Sequence, residues 1–104
     1  MIELLKRVLR LGPTVDYDQL VKQGAVILDV RTKAEYQTGH IHGSLNIPVD
    51  QLKNNLHRIP DKQTPIITCC ASGMRSASAE SILKLNGYKN VCNGGSWVAL
   101  ENKI

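Results

Sequence analysis

The sequence predicts an α/β domain in which helices flank a mostly parallel central sheet on both faces. Two observations carry that prediction. AVILDV (25–30) and PIITC (65–69) are unbroken apolar runs rich in β-branched residues, as in strands buried on both faces. Segments with helical spacing alternate with them and stop at Gly or Pro. The chain has 104 residues, 42% of them apolar, enough for one core without a disulfide or metal staple.

Taken in order, Ile2, Leu5, Val8 and Leu9 recur at helical spacing, so residues 2 to 11 form a short amphipathic helix ended by Gly12-Pro13. Residues 1–13 are an N-terminal helical extension, and 14–104 are the domain proper. Thr14 to Lys22 reads as a second short helix, stopped by Gly24, before the strand at 25–30. Lys33 to Thr38 supplies one or two helical turns up to Gly39. A short strand is expected near Leu45–Ile47, and a helix over Val49 to His57 before Pro60. After the strand at 65–69, a helix rich in Ala, Ile and Leu runs from Arg75 to Asn86 and is closed by Gly87. Asn90 to Cys92 is a brief strand, Gly94-Gly95 a turn, and Ser96 to Asn102 a final helix.

Composition excludes several classes. The net charge of +4 is modest and dispersed along the chain, which argues against nucleic acid as a partner while favouring a small anionic substrate. Three cysteines, two of them adjacent, do not make a secreted disulfide framework. No Cys-x-x-Cys occurs, and His40, His42 and His57 lack helical metal-ligand spacing, so neither metal nor cofactor is expected. The start, MIELLKRVLRL, is interrupted by Lys6, Arg7 and Arg10 and does not read as a signal peptide. No segment is long and apolar enough to span a bilayer. The expected setting is a reducing, cytoplasmic one, with the chain a monomer or weak dimer.

The stretch CCASGMRS (69–76) concentrates the chemistry. Cys70 ends a strand and opens a loop that turns directly into a helix, beyond the carboxyl edge of the sheet where α/β folds bind ligands. The helix start offers unpaired N–H groups and the positive end of its dipole. Such surroundings lower a cysteine pKa from ~8.5 to ~3.5–7.5. Gly73 lets the backbone curl so that N–H groups point at the sulfur. Arg75 adds a planar donor fork suited to an oxyanion. The loop is built to make and hold a negatively charged sulfur.

This loop matches the pattern Cys-x-x-Gly-x-Arg-Ser through Cys70, Gly73, Arg75 and Ser76, and here the chain resembles the rhodanese-like (sulfurtransferase) domains. LDVRTKAEYQTGHIHGSLNIP (28–48) is similar to that family's first signature. GYKNVCNGGSW (87–97) resembles its closing segment in contracted form. The resemblance implies a single rhodanese-like domain that moves sulfur through a persulfide on Cys70. The implied donor is thiosulfate or a similar small anion, and the acceptor is cyanide, a thiol or a protein cysteine. Ala71, Ser72, Gly73, Met74, Arg75 and Ser76 would form the substrate loop, with Arg75 orienting a sulfonate end. The rival reading within the same fold is a thiol phosphatase, which places five residues between cysteine and arginine. Cys70 and Arg75 enclose four, a ring sized for one sulfur atom. A second alternative is a non-catalytic or redox-sensing sulfur-carrier module.

The remaining residues read as support. Asp29 and Arg31 follow the first strand and are expected to serve as framework, Arg31 pairing with Glu35 or Asp29. His40 is expected to be a hydrogen-bonded framework residue and not a catalytic base. Cys69 should face away from Cys70 as a small buried apolar residue, and Cys92 is read the same way. His42 and His57 belong on the surface, and Trp97 in the core or over the end of the fold.

Overall fold

The computed structural model describes residues 15–104, so the N-terminal extension and its expected helix lie outside the described residues. The order is α1 (Tyr17–Lys22), β1 (Val26–Asp29), α2 (Lys33–Thr38), β2 (Leu45–Asn46), a 3₁₀ segment (Val49–Arg58), β3 (Ile66–Cys70), α3 (Met74–Leu85), β4 (Val91–Ser96) and α4 (Trp97–Glu101). The strands form one sheet, β2-β1-β3-β4, every pair parallel. All five residues of β3 are buried, which is why that strand shows no polar alternation.

Helices cover both faces. On one, Leu52 of the 3₁₀ segment and Ala79 and Leu83 of α3 pack with Leu28, Val30, Ile66 and Cys70. On the other, Leu100 of α4 and Tyr17, Leu20 and Val21 of α1 pack with Ile27, Ile67 and Cys69. Local chemistry starts the short helices: the Asp16 side chain accepts from the Gln19 N–H, and Thr32 with Glu35 makes a reciprocal capping box.

The helix expected over Val49 to His57 is present in 3₁₀ form, Val49–Arg58, broken at Asn55 (φ −125°, ψ 20°). Its apolar residues explain this: Val49 and Leu52, then Leu56 and Ile59, lie three apart, as a three-residue turn requires. Gly94-Gly95 is not a turn but lies within β4, which runs on to Ser96. Thr68 pairs with Asn93 and Cys70 with Ser96, so β4 carries one extra residue as a bulge. A Cβ on Gly94 would come within 2.8 Å of Ile67 Cγ2 and 3.0 Å of the Thr68 carbonyl oxygen, so only glycine fits the close approach.

A buried ion pair organises the carboxyl edge of the sheet. Arg31 Nε and Nη2 donate to Asp29 Oδ1 and Oδ2 at 2.9 and 2.7 Å. The same guanidinium donates to the carbonyls of Gly39 (2.7 Å) and Glu35 (3.3 Å) and lies 4.7 Å from the centre of the Trp97 ring. Asp29 is 0% and Arg31 4% exposed, so loss of either partner strands a buried charge. Arg31→Met should therefore cost about 3–5 kcal/mol in urea unfolding. The double variant Asp29→Leu/Arg31→Met should cost less than Arg31→Met alone, because it leaves no charge unpaired.

Candidate active site

Cys70 is the last residue of β3, and Met74 is the first of α3. The three residues between them must reverse the chain. Gly73 does so at φ +106°, a left-handed conformation that side-chain-bearing residues avoid. The reversal turns the loop's N–H groups inward. Gly73 N–H donates to Cys70 Sγ at 2.9 Å and Ser76 N–H at 3.3 Å, while the Ser76 hydroxyl lies 3.5 Å from the sulfur. Burial pushes the Cys70 thiol up. The Ser76 hydroxyl and the N–H groups of Ser76, Gly73 and Ser72 outweigh it, so the net shift is below the ordinary thiol value.

The other two cysteines behave oppositely. Cys69 packs on the α1/α4 face and Cys70 on the α3 face, as strand alternation demands. Burial, aided by the Asp29 charge, pushes Cys69 up to about 12, and burial pushes Cys92 up to about 11. All three thiols are free.

Two residues touch the loop in ways the sequence reading did not assign. Asn93 is one. Its Oδ1 accepts from the Ser76 hydroxyl (2.6 Å) and the Gly95 N–H (2.8 Å), and its Nδ2 donates to the Gly73 carbonyl (3.3 Å). It ties the Cys70 loop to the bulge of β4. The asparagine follows a brief apolar strand, and nothing local marks it as a partner of Ser76. Glu35 is the other. Thr32-x-x-Glu35 is a legible capping box, but the outer face of that carboxylate meets Arg75, forty positions away.

That contact alters the place expected for Arg75. Its Nη1 and Nη2 donate to Glu35 Oε1 and Oε2 at 2.7 and 3.0 Å, so both arms of the fork are engaged. The Arg75 hydrogen bonds, together with the Thr32 N–H, hold the Glu35 carboxyl down at about 2. Ala71, Ser72 and Met74 are exposed on the outer rim of the loop, and Ser76 is buried beneath it.

Asp29 and Arg31 pair with each other, both buried. His40 stacks on Tyr36 with ring centres 3.8 Å apart, and its Nδ1 lies 2.8 Å from the Tyr36 carbonyl oxygen. It lines a groove of about 720 Å³, with Lys33, Asn46 and Arg58, that includes no residue of the Cys70 loop. His42 and His57 are exposed. Trp97 lies over Arg31, its ring edge 3.3 Å from where a Cβ on Gly39 would stand. Among the described residues no helix is long and apolar enough to cross a membrane, and no group of His, Cys, Asp or Glu is placed to hold a metal ion.

Comparison with known proteins bears on the family and the fold. The model of the rhodanese-like domain matches residues 14–103. A rhodanese domain-containing protein of Drosophila melanogaster is 46% identical, the match covering 68% of this chain and 77% of that protein. A thiosulfate sulfurtransferase of Escherichia coli is 36% identical, covering 65% of this chain and 66% of that one. A tRNA uridine(34) hydroxylase of Buchnera aphidicola is 34% identical over 71% of this chain, which spans only 25% of the hydroxylase. Among solved structures, a human single-domain sulfurtransferase superposes with a TM-score of 0.73 at 26% identity, over 84% of this chain and 90% of that one. A sulfur-holding loop, a four-stranded parallel sheet and a match over nearly the whole described chain lead to one conclusion: the protein belongs to the rhodanese-like domain family.

Proposed function

We propose that the chain is a sulfurtransferase of the thiosulfate type in which Cys70 carries the transferred sulfur. The observation that carries the reading is the set of hydrogen bonds on Cys70 Sγ from Gly73, Ser76 and the Ser76 hydroxyl. As a thiol, Cys70 donates to Ser76 Oγ, whose own proton points to Asn93 Oδ1. On ionisation the Ser76 hydroxyl turns to the sulfur, and Asn93 Oδ1 keeps the Gly95 N–H as donor. The anion is formed without a neighbouring base; His40 lines a groove that holds no residue of the loop.

In the first step the Cys70 thiolate attacks the outer sulfur of thiosulfate. The S–S bond of the donor breaks and sulfite leaves with its electron pair, so that Cys70 holds a persulfide. In the second, an acceptor thiolate attacks the outer sulfur of that persulfide, takes it, and returns Cys70 as thiolate. Ala71, Ser72 and Met74 would border the donor, and the inward N–H groups would bear the persulfide charge. A preorganised donor of this kind is worth about 2.7–4 kcal/mol where one has been removed from other enzymes. The acceptor is a small thiol or a protein cysteine, and the three free thiols suit a reducing, cytoplasmic setting. The alternative is a carrier module loaded by a partner protein.

Intact mass after incubation with thiosulfate should rise by one sulfur atom in the reduced protein and stay unchanged in a folded Cys70→Ser variant. An unchanged mass in the parent protein would leave the carrier reading in place of the small-molecule enzyme.

The thiolate absorbance of the reduced protein should show a step below the ordinary thiol value of about 8.5. That step belongs to Cys70, because Cys69 and Cys92 ionise only near 12 and 11. The thiolate is the nucleophile, so persulfide formation should be lost as pH falls through the same step. Ser76→Ala should move both the absorbance step and the rate limb to higher pH, by about one unit if it removes one hydrogen bond to a charged group.

A further inference from the structure

Arg75 of the Cys70 loop is paired with a carboxylate that an anion-binding site has no use for. Glu35 Oε1 accepts from Arg75 Nη1 (2.7 Å), the Thr32 N–H (3.0 Å) and the Thr32 hydroxyl (3.1 Å), while Oε2 accepts from Arg75 Nη2 (3.0 Å). The carboxylate is pinned by its own helix cap on one side and by the guanidinium on the other. It cannot swing away when a donor arrives without giving up its half of the capping box at the start of α2. Both side chains are little more than a third exposed, 36% for Arg75 and 38% for Glu35, so the pair stands at the water boundary. The Arg75 guanidinium is within electrostatic reach of the Cys70 sulfur, whose charge helps to raise its already high pKa after the larger effect of Glu35.

The charge count at the site follows. Arg75 is matched by Glu35, and Arg31, the other arginine behind the loop, is matched by Asp29. What remains to attract an anion is the inward set of N–H groups, of which those of Gly73 and Ser76 already bond to the sulfur itself. A donor with a doubly charged end therefore meets a filled fork and a fixed negative charge beside it.

We infer that Glu35 is a specificity-determining positioning residue: by holding both arms of Arg75 it makes the loop prefer sulfur donors with a single negative charge over a dianion such as thiosulfate. The inference rests on the sulfurtransferase reading and narrows its donor class. It also assigns Arg75 to bracing the loop rather than to gripping a sulfonate.

The test compares two donors that deliver the same sulfur atom to Cys70. Thiosulfate carries two charges and leaves sulfite; benzenethiosulfonate carries one and leaves benzenesulfinate. Glu35→Gln removes the charge while a glutamine still completes the capping box. In this variant kcat/KM for thiosulfate should rise about fivefold relative to that for benzenethiosulfonate, the size of one exposed charge interaction. The gain should shrink as salt is added, because the interaction is screened. Glu35→Ala should show the same change in preference at lower stability, so the result does not hang on one variant. Equal changes for both donors, or an equal loss for both with the fold intact by circular dichroism, would make Glu35 a brace only and overturn the inference. Failure of both donors to load sulfur on the parent protein is a separate outcome: it would overturn the sulfurtransferase reading and this inference with it.

Discussion

The buried pair of Asp29 and Arg31 sets the carboxyl edge of the sheet. Asp29 ends β1, and its backbone carbonyl accepts from the Ile47 N–H and from Asn46 Nδ2, which holds edge strand β2 in place. Its carboxylate fixes Arg31, and Arg31 fixes the end of α2 through the carbonyls of Glu35 and Gly39. The ring of Trp97 then lies over the guanidinium, which ties the start of α4 to the same point. The pair thus joins two strands and two helices at the carboxyl edge of the sheet. The partner strand residue is Cys69, paired with Asp29 in register, so the loop begins one residue beyond the pair.

The fold was legible where burial is symmetrical. β1 and β3 stand in the middle of the sheet, and their two covered faces leave unbroken apolar runs. β4 was read short because its glycines look like a turn. What requires Gly94 is the nearness of Ile67 and Leu100, distant in sequence and silent in any local pattern. Val49–Arg58 was read as a helix, and its 3₁₀ form was not legible for a related reason. A three-residue apolar spacing fits one face of either helix over a single turn, and only the break at Asn55 separates the two.

The site divides along the same line. Cys70, Gly73 and Ser76 lie within seven residues, and the demands of holding a sulfur anion are written in that short span. Glu35 and Asn93 reach the loop across the fold. A capping glutamate and a strand-end asparagine each have sufficient local reasons to exist, so their second roles leave no trace in spacing. Arg75 presents a fork suited to an oxyanion, and in this structure that fork meets the Glu35 carboxylate.

The placement of Cys69 and Cys70 on opposite sides of β3 bears on how the domain would be discharged. Neighbouring cysteines invite the idea of an internal exchange, in which one thiol clears sulfur from the other. Here the sheet itself stands between them, and Cys92 faces the Cys69 side. On the proposed chemistry a loaded Cys70 has no thiol of its own chain within the described residues to hand its sulfur to. The protein would then idle in the loaded form whenever acceptor is scarce, and its turnover would report the supply of acceptor thiol more faithfully than the supply of donor.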